Sequence, residues 1–153
     1  MAAGMLPPPP PRLPPRPSAA EPTRVLLVAE DAPGETDALR DALDESGYGV
    51  AHARSTEAAQ TALAQARPDL VLLDVGRPAI DAFEIARALA ADAATALIPV
   101  ICLAAIDETD AVVGAFGVGV VDYVVKPVRL RELIARMESH LRTARAQGQA
   151  RRA

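Results

Sequence analysis

Short apolar runs of Val, Leu and Ile alternate along the chain with longer segments in which apolar residues recur at helical spacing. The short runs are typical of strands buried in a parallel sheet, and the longer segments are typical of amphipathic helices. This pattern predicts five strands, at residues 25–28, 48–54, 70–73, 98–103 and 120–125, and five helices, at residues 33–46, 56–66, 81–91, 108–116 and 129–143.

Residues with known local preferences mark several ends of these elements. Ser55 is a favourable N-cap for the second helix, and Gly47 follows the first helix, where a left-handed residue commonly ends a helix. The last helix carries one continuous apolar stripe, which we expect to pack against the sheet. The stripe consists of Leu130, Leu133, Ile134, Met137 and Leu141.

The regular β-α alternation predicts an α/β fold with a single five-stranded parallel sheet, doubly wound, with helices on both faces. In such folds the ligand site lies along the edge formed by the carboxyl ends of the strands. The strand at 70–73 is the expected centre of the sheet, and Asp74 follows it directly. Taken alone, Asp74 is explained equally well as a helix cap or a turn former.

Composition divides the 153-residue chain into three predicted parts. Residues 1–22 contain most of the 14 prolines and are expected to form a disordered or polyproline-II arm. Residues 23–145 are expected to form the folded domain, and residues 146–153 a flexible basic tail.

Composition also excludes several classes of protein. The net charge of −4 argues against a general nucleic-acid binder, which is usually basic. Cys102 is the single cysteine, so an intramolecular disulfide and a Cys-based metal cluster are excluded. No apolar run is long enough to span a membrane, and prolines occupy the place of a signal peptide's apolar region. We therefore expect a cytoplasmic protein without membrane partners.

Charged side chains follow three of the predicted strands. Glu30 and Asp31 follow the first, Asp74 follows the third, and Lys126 follows the fifth. Carboxylates that share one edge repel each other unless a cation neutralises them, and Mg²⁺ prefers such oxygen ligands. Lys126 offers a positive charge to a phosphoryl group, which an Asp carboxylate can accept as an acyl phosphate. These residue types predict a site for phosphoryl transfer.

Residues 23–145 resemble the receiver domain of bacterial two-component response regulators. The resemblance is carried by the pair Glu30 and Asp31, by Asp74 and Pro78, and by the segment Asp-Tyr-Val-Val-Lys-Pro at residues 122–127. It implies a flavodoxin-like fold and a phosphoprotein of a phosphorelay, in which Asp74 takes a phosphoryl group from a sensor histidine kinase or a phosphotransfer protein.

The same resemblance implies roles for individual residues. Lys126 would bind the phosphoryl oxygens, and Tyr123 would occupy the aromatic switch position. A Mg²⁺ cofactor would be held by Asp31, Asp74 and the carbonyl of Gly76, with Glu30 in support.

One position departs from the family pattern at the end of the fourth strand. Receivers usually carry Thr or Ser there, and this chain has Ala104. A hydrogen bond to a charged group contributes about 1.5–3 kcal/mol, so loss of that hydroxyl is expected to weaken the activated state about ten- to a hundredfold. With Ala104 leaving space, Tyr123 is expected to turn inward even without phosphate.

We predict a phosphoacceptor receiver that is not an enzyme and that signals through protein–protein contacts with an output protein of unknown identity. The resemblance implies contacts through the face of the fourth helix, fifth strand and fifth helix, and the same face would serve a homodimer. Few residues follow the last helix, so we expect either a stand-alone receiver or a detached module of a longer regulator.

Two alternatives come from other classes of protein. The first is a phosphorylation-independent scaffold, a pseudo-receiver, which Ala104 favours and which the intact Asp74 and Lys126 oppose. The second is a nucleotide-binding α/β enzyme. It is disfavoured because the first strand leads into Glu-Asp-Ala-Pro-Gly rather than into a glycine-rich phosphate loop.

Overall fold

The computed structural model describes residues 21–30 and 34–152, with side chains described as far as residue 149. Five strands lie within these residues: β1 (Arg24–Val28), β2 (Gly49–Ala53), β3 (Leu70–Asp74), β4 (Val100–Ala104) and β5 (Val120–Val125). They alternate with α1 (Glu35–Glu45), α2 (Thr56–Gln65), α3 (Ala82–Ala91), α4 (Thr109–Ala115) and α5 (Leu130–Arg152). Short 3-10 turns at Ile106–Glu108 and Phe116–Val118 flank α4.

The sheet brings the carboxyl ends of its inner strands to one edge. Every strand pair is parallel, and the order across the sheet is β2-β1-β3-β4-β5. The register pairs Val28 with Leu73, and Asp74 with Leu103. β3 is the central strand, and all five of its residues are buried. The predicted five-stranded, doubly wound α/β fold is confirmed.

Alternate side chains of β3 enter two separate hydrophobic clusters, because successive residues of a strand point to opposite faces. Val71 and Leu73 belong to a cluster shared with α2, α3 and α4, which we call the first cluster. Leu70 and Leu72 belong to the second cluster, shared with α1 and α5. The apolar stripe of α5 packs into this second cluster, as its spacing predicts.

The predicted end signals of the first two helices have the expected geometry. The Ser55 hydroxyl oxygen accepts a hydrogen bond from the Ala58 amide at 3.0 Å, which caps α2. Gly47 follows α1 with a φ of +95°, a left-handed conformation that glycine adopts without steric cost. These two residues set where α1 ends and α2 begins.

Several predicted boundaries are wrong by one or more residues, and three elements differ for a physical reason. β4 begins at Val100 rather than residue 98, because Pro99 has no amide hydrogen to donate to the ladder. α4 is shorter than predicted and is continued by 3-10 turns, since glycines at 114 and 117 disfavour a longer α-helix. α5 continues to Arg152 rather than ending at Thr143, and its added residues include the strong helix formers Ala, Gln and Arg.

The remaining division of the chain stays a prediction. Residues 146–152, expected to be a flexible tail, are helical in the structure. The proline-rich arm lies outside the described residues, apart from Glu21 and Pro22. Within the described part of the chain, we find no helix with the length and apolar character needed to cross a membrane.

Candidate functional site

Asp74 is a nearly buried carboxylate at the end of the central strand. It is 6% exposed, and its neighbours in β3 are aliphatic residues with no solvent contact. A buried carboxylate requires a positively charged or hydrogen-bonding partner, because removing the charge from water is costly. Both oxygens of Asp74 have such a partner.

Lys126 is the partner of the first oxygen. Its ammonium nitrogen donates to Asp74 Oδ1 in a close ion pair between side chains that are 19% and 9% exposed. The Lys126 amide also donates to the Ala104 carbonyl at 2.9 Å, which ties the residue after β5 to the end of β4. The sequence places Asp74 and Lys126 at one sheet edge, and the structure brings the two charges into contact.

Arg77 is the partner of the second oxygen, and the sequence pattern did not predict it. Its Nε donates to Asp74 Oδ2 at 3.1 Å. The hydrogen bond to Asp74 and the charge of Asp74 raise the pKa of the Arg77 guanidinium, and Glu30 raises it further. The available signal was a cationic residue three positions after the acidic strand end. The Arg77 side chain reaches back to Asp74 because of the backbone conformation of the loop, which the sequence pattern does not specify.

Glu30 contacts the loop after β3. Its Oε1 accepts a hydrogen bond from the Ala79 amide at 3.1 Å, and its backbone carbonyl accepts one from the Thr36 hydroxyl at 3.0 Å. Glu30 therefore links the end of β1 both to this loop and to α1. Asp31, its predicted companion in the metal site, lies outside the described residues.

Gly76 lies in the same loop with a φ of +85°, and a carboxylate rests directly against it. A Cβ at position 76 would be 1.6 Å from Glu108 Oε2. The other carboxylate oxygen of Glu108 accepts a hydrogen bond from the Ala105 amide at 2.7 Å. Glu108 thus adds a negative charge near the loop that the sequence pattern did not predict. Its position depends on the 3-10 turn after β4, which helical spacing does not reveal.

The two predicted switch positions belong to the first cluster. Ala104 is fully buried at the end of β4, and Tyr123 of β5 is partly buried against this cluster. The Tyr123 ring meets Phe116 edge-to-face, with 6.2 Å between ring centroids and 76° between the planes. Tyr123 is therefore held by an aromatic neighbour beside a strand end that carries a methyl group instead of a hydroxyl.

The donor set at this edge is chemically suited to Mg²⁺. The predicted ligands among the described residues are the carboxylates of Glu30 and Asp74 and the carbonyl of Gly76, which are hard oxygen donors of the kind that Mg²⁺ prefers. Within residues 21–30 and 34–152, no group of three or more His, Cys, Asp or Glu side chains is arranged to hold a metal. The Mg²⁺ ligand set, which includes Asp31, stays a prediction.

The family model of the response regulator receiver domain matches residues 26–138, a span that begins within β1 and ends within α5. The chain belongs to this family.

The receiver domain is similar to curated relatives that include the following two. It is 35% identical over 119 residues to the phosphate regulon transcriptional regulatory protein PhoB of Pseudomonas aeruginosa, and this match covers 78% of the present chain and 52% of PhoB. It is 43% identical over 118 residues to the transcriptional regulatory protein AfsQ1 of Streptomyces coelicolor, and this match covers 76% of the present chain and 51% of AfsQ1.

Solved structures give the same family and fold. The receiver domain is 30% identical to the signal receiver domain of a signal transduction histidine kinase from Syntrophus aciditrophicus, with a TM-score of 0.70. The match covers 79% of this chain and 91% of that one. The present chain spans about half the length of PhoB and AfsQ1.

Proposed function

We propose that Asp74 accepts a phosphoryl group from the phosphohistidine of a sensor histidine kinase or a phosphotransfer protein. The observation that carries this proposal is the contact between the buried Asp74 carboxylate and the Lys126 ammonium at the ligand-binding edge of the sheet. Membership of the receiver family supports it. The chain would then be a signalling component of a phosphorelay rather than a metabolic enzyme.

The transfer is a simple displacement at phosphorus. An oxygen of the Asp74 carboxylate forms the new P–O bond while the P–N bond of the phosphohistidine breaks, and the imidazole keeps the electron pair and takes up a proton. Lys126 would leave the unmodified carboxylate and bind an oxygen of the attached phosphoryl group, which supplies positive charge where negative charge accumulates.

Mg²⁺ is the cofactor that the donor chemistry supports. Asp31, Asp74 and the Gly76 carbonyl would hold the ion, with Glu30 in support. When bound, the ion would neutralise charge on the transferred phosphoryl oxygens. Glu30 would also fix the loop that carries Gly76, through its hydrogen bond from the Ala79 amide.

Output would proceed through protein contacts on the face of α4, β5 and α5. Four large apolar side chains on α4, its 3-10 turn and β5 are exposed: Val113 (56%), Phe116 (41%), Val121 (40%) and Val125 (37%). Exposed apolar patches mark interaction sites. This face would bind an output protein or a second copy of the chain in the cytoplasm. Since PhoB and AfsQ1 are named transcriptional regulatory proteins, control of transcription is the corresponding output.

Ala104 favours a second candidate function. Because its methyl group offers no hydrogen bond to a phosphoryl oxygen, attachment of phosphate has less influence on Tyr123. The second candidate is a pseudo-receiver whose binding face is permanently competent and whose acidic edge no longer takes phosphate.

Labelling by a small phosphodonor separates the two candidates. With acetyl phosphate and saturating MgCl₂, intact-mass spectrometry should detect one added phosphoryl group on the full chain. Asp74→Asn should abolish the addition, and Lys126→Ala should slow it about ten- to a hundredfold, the value of a hydrogen bond to a charged group. Asp110→Asn, an exposed carboxyl in α4, is the matched control and should label normally.

The opposite result is equally clear. If the wild-type chain remains unlabelled while it is folded, or if Asp74→Asn labels as well as the wild type, the phosphoacceptor proposal fails and the pseudo-receiver is favoured.

A further inference from the structure

Asp74 has a positively charged partner on each of its two oxygens. Lys126, delivered by β5, takes Oδ1, and Arg77, delivered by the loop after β3, takes Oδ2 at 3.1 Å. The carboxylate side chain is 9% exposed, so solvent contributes little to its neutralisation. Among the described residues, Lys126 and Arg77 therefore already neutralise the Asp74 carboxylate, the group to which a divalent ion would bind.

Arg77 is also held in place by acidic surroundings. Glu30 lies near enough to act on the guanidinium, and the same Glu30 accepts a hydrogen bond from the Ala79 amide in the loop that carries Arg77. The Arg77 side chain is 34% exposed, so it can move toward solvent when a competitor arrives. This freedom distinguishes Arg77 from Lys126, whose side chain is 19% exposed and whose backbone is bound to β4.

We propose that Arg77 is an internal counter-cation that competes with Mg²⁺ for Asp74 and thereby lowers the metal affinity of the site. The inference rests on the proposed function in one respect, that Asp74 is the metal-bearing carboxylate. Two cations next to the same oxygen repel each other, and this repulsion is poorly screened at a nearly buried group. Mg²⁺ must therefore displace the guanidinium or bind beside it, and both routes cost free energy that a neutral residue at position 77 would not impose.

Calorimetric titration of the full chain with MgCl₂ tests this without any phosphodonor. Arg77→Met should bind Mg²⁺ about ten- to a hundredfold more tightly than the wild type, because the competing hydrogen bond to a charged group is gone. Arg87→Met is the matched control: it removes an exposed arginine from α3, and it should leave the Mg²⁺ dissociation constant within about twofold.

A second variant and a double mutant make the result specific. Arg77→Gln keeps a polar side chain but removes the charge, so it should also raise the Mg²⁺ affinity. Circular dichroism checks that each variant is folded, and one folded variant is sufficient for the test. In an Asp74→Asn background, Arg77→Met should leave the Mg²⁺ affinity unchanged, since the two residues act through one contact.

Several outcomes would overturn the inference. It fails if both Arg77 variants bind Mg²⁺ as tightly as the wild type or more weakly, or if no Mg²⁺ binding is detected in the wild type or in either variant. It also fails if Arg87→Met raises the Mg²⁺ affinity as much as the Arg77 substitutions do. Failure of this inference is distinguishable from failure of the proposed function. If acetyl phosphate labels the wild type normally and the Arg77 variants bind Mg²⁺ no more tightly, only the counter-cation inference fails. If the Arg77 variants bind Mg²⁺ more tightly and the wild type is not labelled, only the phosphoacceptor proposal fails.

Discussion

At the scale of single residues, the loop after β3 depends on a position that only glycine fits. Gly76 has a φ of +85°, and the Glu108 carboxylate occupies the space where a side chain would begin. The left-handed conformation costs an L-residue about 1–2 kcal/mol. Glu108 in turn is held by the Ala105 amide. Gly76 therefore allows the end of β4 and the loop after β3 to approach each other.

Substitution of Gly76 should destabilise the domain. We expect Gly76→Ala to lower the free energy of unfolding in urea by about 1–2 kcal/mol, from backbone strain alone, with a further cost for moving Glu108. Gly114→Ala in α4 is the control, because a methyl group added at that position would meet no other atom within 4 Å. It should stabilise by about 0.5–1 kcal/mol, since alanine is the better helix former. Equal effects of the two substitutions would contradict this account.

The residue scale also shows what the sequence can and cannot predict about the site. The positions of Asp74 and Lys126 were predictable, because Asp74 ends β3, Lys126 directly follows β5, and the ends of these parallel strands share an edge. Arg77 and Glu108 were not, since each reaches the site from an irregular segment whose backbone path no periodicity describes. The contact between Asp74 and Lys126 is observed, but the roles predicted for all the site residues remain predictions: Glu30, Asp31, Asp74, Gly76, Ala104, Tyr123 and Lys126.

At the scale of elements, α5 is attached to the sheet by one apolar stripe. Leu133 and Met137 are fully buried, and Leu141 is 4% exposed. Helical spacing alone was sufficient to predict this face, because burial of every third or fourth residue is what fixes a helix on a sheet. The end of the helix was predicted wrongly because helix propensity, rather than burial, carries the last turns to Arg152.

Truncation of a stripe residue should have a large effect. Leu133→Ala should lower the free energy of unfolding by about 2–5 kcal/mol, the usual cost of a cavity at a buried leucine. Arg131→Ala, an exposed position on the same helix, should change it by about 0.5 kcal/mol or less. Urea unfolding followed by circular dichroism measures both. A loss below about 1 kcal/mol for Leu133→Ala would mean that α5 is not fixed through this stripe.

At the scale of the whole molecule, the two hydrophobic clusters cover opposite faces of a single sheet. The alternation of strands and helices predicted this arrangement, because parallel strands buried on both faces require helices on both sides. Polar contacts between elements were less predictable. Asp122 of β5 accepts hydrogen bonds from Arg136 at 2.9 Å and from His140 at 3.0 Å, both on α5. No role for His140 follows from the sequence pattern.

Global stability should depend on the charge of Asp122 in acid. Burial raises the pKa of the Asp122 carboxyl, but hydrogen bonds from His140, Arg136 and the Tyr123 amide outweigh burial, so the pKa lies below its usual 3.8. A lowered carboxyl pKa stabilises the fold above the usual value, and this contribution is lost as the pH falls through the lowered pKa.

Comparison of the wild type with Asp122→Asn measures this contribution. The wild type should be more stable than the variant at about pH 5, and the difference in unfolding free energy should shrink as the pH falls below about 4. Asp110→Asn controls for loss of an exposed negative charge. A difference that grows as the solution becomes more acidic would contradict the sign of the pKa shift.

The contact between Tyr123 and Phe116 gives this protein an intrinsic optical reporter. The chain contains no tryptophan and two tyrosines, and the second tyrosine, Tyr48, packs in the opposite cluster. In a Tyr48→Phe background, all phenolic fluorescence therefore originates from the ring next to Phe116. Its emission and near-ultraviolet dichroism would follow rearrangement of that ring in real time, without an attached dye.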